Sequence, residues 1–145
     1  MRGGTHMLAG AVAGVSMLGS PSGIFVSVIG SLFPDIDTPT SAVGRKIPFF
    51  SLIAGGHRGW THSLMGLILF SAPLLSVFNT EIALAFAAGY ISHLLLDMLN
   101  PAGVRIFWPI PLTLRFCSIP SKSAIWNSVL SIIFGIVLLV RWVVL

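Results

Sequence analysis

The chain is 145 residues long, 55% hydrophobic and only 8% charged, with a mean hydropathy of +0.97, which excludes an ordinary soluble domain and places a single domain, residues 1–145, in a bilayer. Its net charge of +4 comes from eight Lys and Arg against four acids, with no basic run to follow a phosphate backbone, so no nucleic-acid partner is expected. The single cysteine, Cys117, excludes an intramolecular disulfide and a thiolate metal site.

In chain order, residues 7–18 and 24–33 are apolar but short, and Gly19-Ser20-Pro21-Ser22-Gly23 divides them. The sequence predicts a helical hairpin there. One continuous kinked helix over 7–33 is the alternative, and it would put His6 and Asp35 on opposite membrane faces. A signal peptide ending near Gly19-Ser20 is disfavoured, because the basic n-region is only Arg2 and Pro21 follows the small residues awkwardly. Residues 62–78, 81–99 and 126–145 each approach the ~20 apolar residues that cross a bilayer. The predicted fold is therefore all-α: an integral membrane bundle of an N-terminal short hairpin plus three longer transmembrane helices. Between the last two, residues 106–117 are apolar but interrupted by Pro109, Pro111 and Arg115, which predicts an interfacial or re-entrant segment beside the site.

Charge orients the bundle. The long connections 38–61 and 101–123 hold Arg45, Lys46, Arg58, Arg105, Arg115 and Lys122, whereas the short connections around 19–23 and 79–80 hold no cation. The positive-inside rule turns the long connections to the cytoplasm. Arg45, Lys46, Arg115 and Lys122 then read as lipid-headgroup anchors, and Trp60, Trp108, Trp126 and Trp142 lie near span ends as an aromatic belt would.

Of the eight acidic and histidine residues, all but Glu81 fall in four clusters: His6, Asp35 with Asp37, His57 with His62, and His93 with Asp97. On the hairpin map all seven fall on the cytoplasmic side. Unpaired ionisable groups are costly in so apolar a chain, so their convergence predicts one shared site. His93 and Asp97 are four apart and share a helix face. Pro34 and Pro39 bracket Asp35 and Asp37 and favour a non-helical chain, in which both carboxylates project to one side. His57 is placed in a loop, Thr61 near an N-cap and His62 on the first turn of the third helix.

Four imidazoles and three carboxylates suit two divalent ions sharing a bridging carboxylate better than one ion, with Zn preferred over Mn or Fe and no thiolate to favour copper. His6, Asp35, Asp37, His57, His62, His93 and Asp97 are the candidate ligands. Such a centre activates water and clamps phosphoryl oxygens. Arg58 and Asp37 are carried as candidate catalytic side chains. Arg58 and Arg105 are placed to grip a phosphate, and the general acid is an Asp or His not bound to metal.

Thr5-His6 with Gly10, the run Leu32-Phe33-Pro34-Asp35-Ile36-Asp37, His57-Arg58-Gly59-Trp60-Thr61-His62-Ser63, and Ser92-His93 through Asp97 with Asn100-Pro101 and Gly103-Val104 resemble the YdjM-like inner-membrane proteins. The resemblance covers residues 5 to about 111 and implies a membrane-bound, metal-dependent hydrolase. The His-x-x-x-Asp pair is more distantly similar to the ligand pattern of zinc-dependent phospholipase C. The expectation is a cytoplasm-facing inner-membrane hydrolase of a phosphate ester, with a lipid phosphoester leading because a site among helix ends favours a molecule already in the bilayer. The alternative is a non-enzymatic metal transporter or sensor. A third class is a partner-binding protein in which metal only clamps helices.

Overall fold

The computed structural model describes residues 1–41, 43–47, 50 and 58–144. Among these the chain forms α-helices α1 (Gly3–Met17), α2 (Pro21–Leu32), α3 (Leu64–Val77), α4 (Thr80–Met98) and α5 (Ala124–Val144).

The hairpin reading of the N-terminal region holds. Gly19 takes φ +61°, which ends α1, and its amide and that of Leu18 bond back to the carbonyls of Val15 and Gly14. Ser20 caps the next helix by accepting from the amide of Gly23 at 3.1 Å, with Pro21 at its first position. Leu18, Gly19 and Ser20 thus turn the chain back on itself, and α1 and α2 pack against each other.

Helix α4 is the central element, packing on α1, α2 and α3, and it carries two adjacent stripes. Phe86, Tyr90, Leu94 and Met98 recur every fourth residue and form the apolar core with Val104, backed by Phe33 and Phe70. Gly89, His93 and Asp97 form the other stripe, Asp97 facing the start of α1 and the first two facing α2. There the backbones nearly touch: a Cβ on Gly89 would lie 1.8 Å from the carbonyl oxygen of Ser27, and one on Gly30 2.2 Å from that of Phe86. Gly10 and Gly14 bring α1 against α2 in the same way, with an added Cβ meeting Ser31 Oγ at 2.5 Å and Ile24 Cα at 2.7 Å. Small residues therefore set the helix spacing.

Two helices, α4 with 19 residues and α5 with 21, are long and apolar enough to cross a membrane, against the three longer spans expected. Helix α3 is apolar but has 14 residues, about 21 Å at 1.5 Å per residue. It is short because its start lies later than predicted. Residues Trp60–His62 form a 3₁₀ turn, and Ser63, not Thr61, is the N-cap, accepting from the amide of Gly66 at 3.3 Å. His62 is thereby placed before the helix. The Asp35 segment also differs from the extended chain expected, because Phe33–Asp37 is a 3₁₀ helix continuing from α2, with Pro34 near its start.

Helix α5 is almost bare, with Asn127 its one buried residue among those described. Asn127 Oδ1 accepts from Thr5 Oγ1 at 3.0 Å and from the amide of Arg2 at 2.9 Å, while Nδ2 donates to the carbonyls of Ser121 and Ser123. This amide ties α5 to the first turn of α1. Residues 106–117 form an irregular loop rather than a helix, closed by an antiparallel bridge between Val104 and Leu114 and exposing Phe107, Ile110, Leu112 and Phe116.

Candidate metal centre

The start of α1, the end of α2, the turn before α3 and the last turns of α4 meet at one end of the bundle. They bring together His6, Asp35, Asp37, His62, His93 and Asp97, the convergence the hairpin reading requires. All are buried except Asp35, whose side chain is 21% exposed. His57 lies outside the described residues.

Ring tautomers can be read from the partners. His93 Nδ1 lies 2.7 Å from the carbonyl oxygen of Ser31, which only accepts, so Nδ1 carries the proton and Nε2 presents a lone pair. His62 Nδ1 lies 3.1 Å from Asp37 Oδ2, which fixes its proton in the same way. The two Nε2 atoms then face each other at 3.3 Å. Facing lone pairs repel unless a proton on one nitrogen or a metal cation stands between them. Two carboxylate oxygens complete the arrangement. Asp35 Oδ1 is 3.6 Å from His62 Nε2 and 3.7 Å from His93 Nε2, and Asp97 Oδ2 is 3.8 Å from each. Donors bound at 2.0–2.2 Å to a tetrahedral ion lie about 3.3–3.5 Å apart. The triad of Asp35, His62 and His93 is therefore within a few tenths of an ångström of the spacing a zinc-sized ion needs, and Asp97 Oδ2 stands 3.8 Å from both rings.

A second candidate group, His6 with His93 and Asp97, overlaps the first. Because the other nitrogen of His93 is spent on Ser31, His93 can ligate one ion only. His6 stacks on His93 with ring centroids 3.9 Å apart, its Nε2 lies 3.6 Å from Asp97 Oδ1, and its buried Nδ1 has no partner. Asp97 thus turns one oxygen toward His62 and His93 and the other toward His6 and the amino group of Met1, 3.2 Å away. Asn100 Nδ2 donates to Asp97 Oδ1 at 2.9 Å and steadies it.

Burial opposes ionisation of Asp35, yet the hydrogen bond with His62 and the nearby rings of His93, His62 and His6 hold its carboxyl down at about 2. Burial likewise opposes a charged His62, but its bonds with Asp35 and Asp37 and the adjacent carboxylates push it up to about 9. In the metal-free protein a proton on His62 supplies the positive charge that these carboxylates demand.

Asp37 and Arg58, the two expected catalytic side chains, are both held by neighbouring groups. Asp37, predicted as ligand and catalytic group, lies outside both candidate groups among the described residues. Its Oδ2 accepts from Thr61 Oγ1 at 2.7 Å and from the amide of Arg58 at 3.0 Å as well as meeting His62, and the residue is 2% exposed. It orients His62 from behind. Arg58 has φ +64° and is held in place: Nη2 meets Asp97 Oδ2 at 3.0 Å and Nη1 donates to the carbonyl of Gly103 at 3.0 Å, so its guanidinium is already engaged within the protein. Arg105 is exposed and away from the cavity described next. Sequence reasoning missed the Ser31 carbonyl, which no side-chain pattern announces. It also missed Tyr90, whose hydroxyl donates to the carbonyl of Thr61; its signal was that it is the chain's sole tyrosine, one turn from His93.

Replacing Asp37 with Asn keeps the shape but weakens the hold on His62. We expect Asp37→Asn to lose about 10–100-fold in metal affinity while retaining the fold, checked by competition with a chromophoric chelator; unchanged affinity contradicts the orienting role.

Above the centre opens a cavity of about 790 Å³ whose lining includes His6, Asp35 and Asp97 together with Arg2, Arg45 and Lys122. An all-helical, membrane-associated protein whose buried histidines and carboxylates are arranged to hold a divalent cation is the class that this geometry defines. The chain belongs to the YdjM inner membrane protein family, whose profile matches residues 1–145. It is 36% identical over 96 residues to the inner membrane protein YdjM of Escherichia coli (strain K12), covering 57% of this chain and 47% of that one, and equally to that of Shigella flexneri. It is 34% identical over 91 residues to the uncharacterized protein YvsG of Bacillus subtilis (strain 168), covering 60% of this chain and 57% of the relative. The chain thus spans about half the length of the curated relatives it matches. No solved structure matches it, and the more distant likeness to phospholipase C finds no support among these relatives.

Proposed function

We propose that the chain is a multi-pass inner-membrane hydrolase of phosphate esters, most readily a lipid phosphoester, with its centre facing the cytoplasm. One observation carries the reading. Asp35 Oδ1 and Asp97 Oδ2 each lie within 3.8 Å of the Nε2 atoms of His62 and His93, which face each other at 3.3 Å, and Asp35 and Asp97 line a cavity that also carries Arg2, Arg45, Arg58 and Lys122. Divalent cations held there would supply an activated water and a Lewis acid for phosphoryl oxygens. His62, His93, Asp35 and Asp97 would hold one, and His6 with the second oxygen of Asp97 would hold another. Asp35, the one partly exposed member, meets both the cavity and the centre. Arg58 locks Asp97, while Asp37 and Ser31 fix the two rings. Arg45, Arg58 and Lys122, which belong to the basic connections, line the cavity beside the centre, which supports the cytoplasmic orientation.

The test is phosphate release from a panel of lipid phosphates by the metal-loaded protein in zwitterionic nanodiscs. We expect turnover of at least one lipid, abolished by chelation and restored by metal. A folded, metal-replete protein inert on the whole panel contradicts the hydrolase reading, and metal flux into proteoliposomes would establish transport instead.

A further inference from the structure

Arg45 and Lys122 read from the sequence as lipid-headgroup anchors, but they line the same cavity as Asp35, Asp97 and His6. Each is carried there by a pinned segment. Ser41 Oγ donates to the carbonyl of Asp35 at 2.7 Å and accepts from the amide of Gly44 at 2.8 Å, and Gly44 packs so closely on Thr38 that an added Cβ would lie 2.1 Å from its carbonyl oxygen. Arg45 follows directly, on a 3₁₀ turn fastened to the strand of chain that bears a proposed ligand. On the other wall, the amide of Ile119 donates to the carbonyl of Leu99 at 2.8 Å, and Asn127 holds the carbonyls of Ser121 and Ser123, which flank Lys122. The side chains of Arg2, Arg45 and Lys122 are exposed and make no hydrogen bond or ion pair with any described residue. The lining carboxylates are already committed, Asp97 to Arg58 and both to the histidines. The cavity therefore holds surplus positive charge beyond what one phosphoryl group at the centre uses.

We propose that Arg45 and Lys122, with Arg2 beside them, form an anion clamp at the cavity mouth that binds a second, non-reacting phosphate of the substrate, so that the molecule taken is a diphosphate. The inference rests on the phosphohydrolase reading and deepens it. The diphosphate can be borne by a lipid or by a water-soluble molecule, and the clamp chemistry is the same. Lys46 and Arg115 provide the contrast, because both are basic residues of the same connections that do not line the cavity.

The experiment measures calorimetric binding of inorganic phosphate and inorganic pyrophosphate to the metal-loaded full chain in phosphatidylcholine nanodiscs. It compares wild type, the Arg45→Gln/Lys122→Gln pair and the Lys46→Gln/Arg115→Gln pair, with metal content measured before and after. Wild type is expected to prefer pyrophosphate by about 10-fold or more, as one or two charge-assisted hydrogen bonds provide. In Arg45→Gln/Lys122→Gln the preference should fall below about twofold, with pyrophosphate weakened far more than phosphate, and Lys46→Gln/Arg115→Gln should behave as wild type. A preference that survives in the first pair overturns the clamp, since chelation by the metals alone would then explain it. A preference lost equally in both pairs overturns it in favour of general leaflet electrostatics. If neither anion binds a metal-loaded protein, the phosphohydrolase reading itself fails and takes the clamp with it. A short prenyl diphosphate in the same discs separates the sources: tighter binding than pyrophosphate assigns a lipid-borne substrate, and equal binding a soluble one, each with the same loss in Arg45→Gln/Lys122→Gln.

Discussion

His93→Ala is expected to abolish stoichiometric metal binding, and with it any hydrolysis. His93 is the one residue common to both candidate donor groups, and its Nε2 is 3.3 Å from that of His62 and within 3.8 Å of both Asp35 and Asp97. Losing it leaves the principal set with one imidazole and an opening that no described side chain can fill. Affinity should fall by well over the roughly 100-fold that loss of an orienting partner costs. The contrast with His6→Ala separates the positions: His6 touches the centre only through Asp97 Oδ1 and its stacking on His93, so that variant should keep one ion and lose the other. Metal analysis of the purified variants reads this directly. Wild-type metal content in folded His93→Ala contradicts the assignment.

Gly89→Ala is expected to be the most damaging single methyl group in the bundle. The added Cβ would sit 1.8 Å from the carbonyl oxygen of Ser27, a backbone atom that cannot rotate away, whereas an unstrained contact needs about 3.5 Å. Helices α2 and α4 must separate by more than an ångström. Overpacking of this kind costs about 1–3 kcal/mol and more where backbone meets backbone. The effect reaches the centre, because Asp35 follows from α2 and His93 belongs to α4, and their donors are set 3.7 Å apart by this approach. We therefore expect Gly89→Ala to lower both the melting temperature and the metal stoichiometry, while Gly135→Ala on α5, where nothing lies within 4 Å, changes neither. Equal behaviour of the two variants would falsify the close-packing account.

Much of the site was legible because chemistry-bearing residues stand out in an apolar chain. His93 and Asp97 at helical spacing, Asp35 beside Pro34, and the turn at Gly19-Ser20-Pro21 follow from local rules, and the turn alone decides that His6 and Asp35 share one end of the bundle. The illegible parts are tertiary. Thr61-His62-Ser63 offers two hydroxyl caps in three residues, and only the engagement of Thr61 with Asp37 and Tyr90 leaves Ser63 to start the helix, shortening α3 and moving His62 out of it. Asp35 and Asp37 look alike in sequence. One reaches the cavity and the other is buried against His62, a division made by the 3₁₀ winding of the segment rather than by residue type. Arg58 and Lys122 are likewise placed by tertiary contacts, because a positive φ and the contact with Asp97 hold the first, while the second is held at the cavity wall by its neighbours' bonds to Asn127.

The most direct measurement is anomalous scattering from crystals of the metal-loaded protein, collected on either side of the zinc, iron and manganese edges. The account predicts a strong peak about 2.0–2.2 Å from His62 Nε2, His93 Nε2, Asp35 Oδ1 and Asp97 Oδ2, with any second peak beside His6 on the far oxygen of Asp97. A fully loaded crystal with no peak among these four atoms, or with its metal elsewhere on the chain, would contradict it.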